Sequence, residues 1–73
     1  MGIVADIGAR AAKAIYNRQD SEHDLDDVLY ELELTRASLW QYTHGKHAPS
    51  GLILRRMALA GYDIYYILTG ERK

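Results

Sequence analysis

The chain has 73 residues, of which 48% are apolar and 26% charged, with a formal net charge of −1. One domain is all this length allows, and it buries only about 60–65% of its unfolded surface, too little for a sizeable catalytic cleft. It has no cysteine for a disulfide or thiolate metal site, no apolar run near the roughly 20 residues of a bilayer span, and no leader free of charge, since Asp6, Arg10 and Lys13 interrupt the first stretch; a cytoplasmic domain is expected.

Residues 3–16 read as an amphipathic helix, because Ile3, Ile7, Ala11, Ala14 and Ile15 recur at helical spacing among alanines. Asn17 to Asp24 has no apolar residue and reads as a loop. Asp24 is the N-cap of a short second helix with Val28, Leu29 and Leu32 on one face. Asp26 and Asp27 fall in its first turn, where the helix dipole favours them. This part of the chain is acidic throughout: residues 19–34 hold seven acids and no base.

Thr35 caps a third helix running to residue 43, with Leu39 and Tyr42 as an inward pair. Only Glu33-Leu34-Thr35 joins it to the second helix. So tight a link suits a helix-turn-helix with crossed axes. Gly45 stops the third helix and Pro49 prevents its resumption. Ser50 caps a fourth helix with Leu52, Ile53, Met57 and Ala60 facing inward, ended by Gly61. Asp63 caps a fifth, Ile64 to Leu68, closed by Thr69-Gly70. Residues 35–62 hold four bases and no acid, so two electrostatic faces are expected, the basic one suited to a polyanion. The pattern is all-α, with five helices, no strand signal and no repeat.

Several segments together resemble the lambda-repressor-like, Cro/xenobiotic-response-element helix-turn-helix family. They are Thr35-Arg-Ala-Ser-Leu-Trp-Gln-Tyr42, Gly45-Lys46, Ala48-Pro49-Ser50 and Ile64-Tyr-Tyr-Ile-Leu-Thr-Gly-Glu71; Ile7-Gly8-Ala9-Arg10 is similar to the family's first-helix opening. The likeness covers roughly residues 7–71. It implies a compact five-helix DNA-binding domain spanning 1–73, with the helix-turn-helix at about 25–43 and a dimerisation helix at about 63–69. Three departures stand out. Glu33 holds the turn position usual for glycine, Leu29 replaces a small residue, and Leu25 opens the second helix where Gln or Ser is usual. The acidic loop is also longer than usual.

In that family's docking geometry the third helix enters the major groove. Arg36, Ala37, Trp40, Gln41 and His44 then face outward, with Ser38 on the flank. Arg36 suits guanine O6 and N7, Gln41 suits adenine N6 and N7, and Ala37 suits a thymine methyl. Trp40 either touches a sugar or thymine methyl or folds over the domain edge. Phosphate contacts are expected from Thr35 at a helix N-terminus, from His44 and His47, and from Lys46, whose ammonium and nearby N–H groups straddle a phosphate. Arg55 and Arg56 cannot both face a duplex, so one is expected to be an ion-pair partner. In the last helix Ile64, Tyr65, Ile67 and Leu68 form the expected dimer interface, as the resemblance implies.

Other chemistries fit poorly. His44 and His47 are separated by Gly45 and followed by Pro49, so no metal is expected. Asp24, Asp26 and Asp27 lack the glycine and distal glutamate of a calcium loop. No nucleophile has a paired base, so neither enzyme activity nor a cofactor is expected. The expected function is a homodimeric transcription regulator of phage or prophage type that occupies an inverted-repeat operator. The chain ends just past Glu71, so control by concentration, operator competition or a partner is expected rather than an effector domain. The rival is a protein-interaction module that kept the fold without DNA binding, with the acidic segment 19–34 as a possible partner site.

Overall fold

Local capping chemistry decides where the short helices begin. The computed structural model describes residues 2–19 and 24–72. Among them are five helices and no strand: α1 Ile3–Asn17, α2 Leu25–Leu32, α3 Arg36–Thr43, α4 Gly51–Leu59 and α5 Ile64–Thr69. Asp24 accepts from the Asp27 N–H at 2.9 Å, and Asp27 returns a bond to the Asp24 N–H at 3.4 Å, a capping box. Thr35 Oγ1 accepts from Ser38 N–H at 3.1 Å, Ser50 Oγ from Ile53 N–H at 3.4 Å, and Asp63 Oδ1 from Tyr66 N–H at 3.0 Å. Caps of this kind contribute about 1 kcal/mol each. The middle of the expected acidic loop, Asp20 to His23, lies outside the described residues.

Helix α1 is the spine. It packs on α2, α3 and α5, and α4 closes the arrangement against α2 and α5. Ala11, Ala12 and Ile15 meet Val28, Leu29, Leu32, Leu39, Tyr42, Met57, Tyr62 and Ile67 in one core. The Cα radius of gyration is 11.3 Å, close to the roughly 11 Å of a folded chain this long. Two apolar residues read as inward are not. Ile3 is 76% exposed and Leu52 55% exposed. Each sits in the first turn of its helix, and Leu52 lies on the far side of α4 from Met57. Ile67, read as part of a dimer surface, is instead wholly buried as the core anchor of α5. Ile64 is half-buried, while Tyr65 and Leu68 are exposed on the outer side of α5.

Arg10 of α1 and Arg18 at its C-terminal end are used for capping. Arg10 donates from Nε to the Ile67 carbonyl at 2.8 Å and from Nη2 to the Leu68 carbonyl at 3.2 Å, which satisfies the last turn of α5. Arg18 donates from Nη2 to the Ala60 carbonyl at 3.0 Å at the end of α4, with its guanidinium 4.1 Å above the Tyr62 ring. These separations of 57 and 42 residues tie the first helix to the last two.

Glu33 adopts the left-handed conformation that its position demands, φ 56° and ψ 40°. The Leu34 N–H then reaches the Leu29 carbonyl at 2.9 Å, the long bond of a Schellman ending. A side chain in this conformation costs about 1–2 kcal/mol. Arg56 Nη2 stands 3.2 Å from Glu33 Oε2 and partly offsets that cost. Arg56 is thus the structural arginine of the pair, and Arg55 is exposed.

Burial pushes the Tyr42 phenol above its ordinary value of 10.0. Burial does the same for Tyr62, with Arg18 lowering and Glu31 raising it further. The folded state therefore holds these protons more tightly than the unfolded state. The contribution of these two groups should be constant through neutral pH and be lost as pH rises through about 10. Urea midpoints measured from about pH 7 to 11 check this. A Tyr42→Phe, Tyr62→Phe variant should show a shallower alkaline fall. The Tyr62 hydroxyl is buried with no partner among the described residues, so its removal should not destabilise.

Candidate nucleic-acid interface

Helix α3 presents a ridge whose inner side is fixed by packing. Leu39 and Tyr42 are buried, and the remaining positions follow from the helical turn. Arg36, Ala37, Trp40, Thr43 and His44 are exposed, whereas Ser38 and Gln41 are half-buried on the flank. Thr35, at the head of the ridge, and Lys46 and His47, beyond its end, are also exposed. The expected outward set is therefore present, with Gln41 more sheltered than its spacing suggested.

Arg36 has a partner that sequence reading assigned elsewhere. Its Nη2 lies 2.7 Å and its Nε 3.0 Å from Asp26 Oδ1, across the turn on α2. A cation at the first position of a helix opposes the dipole, and Asp26 supplies the compensating charge. No polyanion is needed to account for the placement. Both side chains are largely exposed, 65% and 70%, so the pair is worth at most about 1 kcal/mol and a stronger acceptor can displace it.

Trp40 neither lies bare nor folds inward. Its ring stacks on His44 at a centroid distance of 4.0 Å and an interplanar angle of 20°. His44 Nδ1 is 2.9 Å from the Trp40 carbonyl. Donation there fixes the Nδ1–H tautomer of the neutral ring and leaves Nε2 as an acceptor. A neutral His44 can then accept from a base-edge amino group, but it meets a phosphate only as imidazolium. Beside this stack is a shallow groove of about 150 Å³ walled by Tyr16, Leu25, Arg36, Leu39 and Thr43. Tyr16 and Thr43 were not singled out by sequence. Thr43 stands three residues from Trp40, so its place beside the stack follows from helical spacing; Tyr16 comes from α1, and no local signal marks it.

The turn after α3 spends its backbone donors internally. Lys46 N–H reaches the Gln41 carbonyl at 2.8 Å, His47 N–H the same oxygen at 3.4 Å, and Gly45 N–H the Tyr42 carbonyl at 3.2 Å. The amide groups expected to straddle a phosphate are therefore engaged, and Lys46 offers its ammonium alone. Small residues of α1 hold this turn in place. A Cβ on Gly8 would come within 2.5 Å of the His47 carbonyl oxygen and 3.0 Å of that of Tyr42, and a Cβ on Gly45 within 3.0 Å of Ala5 Cβ. Only at Gly8 does close approach of two backbones demand a missing side chain; Gly45 is also required by its φ of 69°.

Among the described residues no helix is long and apolar enough to cross a membrane. No family model, curated protein or solved structure compared with the chain matches it.

Proposed function

We propose that this chain is a lambda-repressor-like helix-turn-helix domain that binds double-stranded DNA in a sequence-specific way. In this reading α2, the Glu33 turn and α3 form the helix-turn-helix, and α3 is the recognition helix. The observation that carries it is the exposed ridge of α3. The ridge and the turn after it offer Arg36, Gln41, His44 and Lys46 with no acid anywhere from residue 35 to 62. Base contacts fall to Arg36, Ala37, Trp40, Gln41 and Ser38, and phosphate contacts to Thr35, Lys46, His47 and protonated His44. Tyr65 and Leu68, with the edge of Ile64, provide the two-fold contact of a homodimer that reads an inverted repeat with half-sites about 34 Å apart. The regulatory act is occupancy of an operator of phage or prophage type.

Selection of bound duplexes from a random pool tests this directly. A symmetric consensus is expected. Affinity for that site should fall on the order of 10³-fold between roughly 50 and 200 mM salt. Arg36→Ala should relax preference at one base pair per half-site, about 1–3 kcal/mol of discrimination, without loss of helicity. Unchanged specificity would remove Arg36 from the interface.

Two observations favour a second reading, a protein-interaction module. Asp26 already engages Arg36, and the aromatic groove beside Trp40 is suited to an apolar side chain. Binding to no duplex, or duplex binding indifferent to salt, would decide for it.

A further inference from the structure

A second concave site lies away from the α3 ridge, between the second half of α1 and the α4–α5 corner. It encloses about 260 Å³. Three cations line it, Lys13, Arg18 and Arg72, against the single carboxylate of Asp63. Arg18 and Arg72 are held by ring contacts, and among the described residues only Arg72 has a carboxylate near it. Arg18 lies over the Tyr62 ring and donates to a carbonyl, and Arg72 lies 4.4 Å above the Tyr66 ring. Asp63 uses Oδ1 to cap α5, and its Oδ2 is a loose 3.8 Å from Arg72. Among the described residues no carboxylate pairs with Lys13 or Arg18.

From this geometry we propose that the cleft binds a phosphate dianion, either inorganic phosphate or the head of a phosphomonoester. Three cations against one carboxylate among the described lining residues leave an excess of positive charge, which favours a dianion over a monocarboxylate. Guanidinium groups present paired N–H donors to a tetrahedral oxyanion, and ring stacking removes much of the freedom they would otherwise lose. With one face of each tyrosine ring taken by a guanidinium group, the ligand is held through its phosphate and not by stacking an aromatic ring. Bound there, the ligand bridges Lys13 and Arg18 of the first helix to Arg72 beyond the last, and so fastens the end of α5 to α1. This site is independent of the DNA reading.

The test is a titration of the ¹⁵N-labelled full chain with inorganic phosphate, glycerol 2-phosphate and acetate. Saturable shifts are expected at the amides of Asn17, Gly61 and Asp63 for the two phosphates, with acetate at least about tenfold weaker. No histidine lines the cleft, so affinity should rise from about pH 5 to 7.5 as the ligand takes its second charge near 6. Lys13→Gln with Arg72→Gln, both at exposed positions, should keep the parent melting behaviour and weaken phosphate at least about tenfold. Saturation by inorganic phosphate but not glycerol 2-phosphate would restrict the site to the free ion and uphold it. The proposal is overturned by non-saturating shifts spread equally to Lys46 and Arg55. It is equally overturned by acetate binding as tightly as phosphate, or by a double variant that titrates like the parent.

Discussion

Gly8→Ala is expected to destabilise the fold by about 1–3 kcal/mol, although helix propensity alone predicts a gain of about 1 kcal/mol. The sign is reversed by what lies opposite. The new methyl would meet two backbone carbonyls, those of Tyr42 and His47, and neither is the movable end of a side chain. The turn that carries His44, Lys46 and His47 would have to move away from α1. Each lost kilocalorie should lower the melting temperature by about 4–8 °C in a domain this small. Amide shifts should change most from His44 to Ala48, with the fold still largely present. A Gly8→Ala variant more stable than the parent would show that α1 does not press on this turn.

Leu32→Ala should have the larger effect, a loss of about 2–5 kcal/mol. Leu32 is wholly buried where α2 meets the core, and it precedes the strained Glu33. Truncation leaves a cavity against a turn that already stores strain, so collapse to fill it is hindered. A chain of this length has about 4–11 kcal/mol of total stability, so the variant should lose a large share of it and unfold at a clearly lower urea concentration. Urea denaturation measures this, with Tyr30→Ala as the control. Tyr30 lies on the same helix but is 85% exposed, and its loss should change stability by less than about 0.5 kcal/mol. Equal effects at the two positions would contradict the orientation of α2.

The helices and their starts were legible because each signal is local. Asp24, Thr35, Ser50 and Asp63 bond to amides three residues on, and Leu39 and Tyr42 share one face of a single helix. The turn at Glu33 was marked only by the family resemblance, which places a glycine there, and the left-handed conformation is what the structure adds. What escaped depended on neighbours remote in sequence. Asp26 looked like a favourable first-turn acid and proved also to be the partner of Arg36, ten residues away across the turn. Arg10 and Arg18 looked like ordinary charges of an amphipathic helix and proved to be caps for α5 and α4. Ile3 and Leu52 followed the apolar pattern but lie exposed in the first turns of their helices, Leu52 on the side of α4 away from Met57. Ile67 lay in a run of apolar residues too short for periodicity to separate the buried side from the exposed one. On the candidate interface, the outward set of α3 followed from the helical repeat. The half-burial of Gln41 and the use of the amides of Lys46 and His47 did not, since both depend on how the chain leaves α3.

Arg10 and Arg18 anchor α1 by charge–dipole bonds to carbonyl oxygens, not by attraction to carboxylates. Mobile ions compete weakly with such partly sheltered contacts, so the architecture should withstand changes in ionic strength. A loss of duplex affinity on adding electrolyte would then report the departure of counterions from the nucleic acid, with the scaffold itself unaltered.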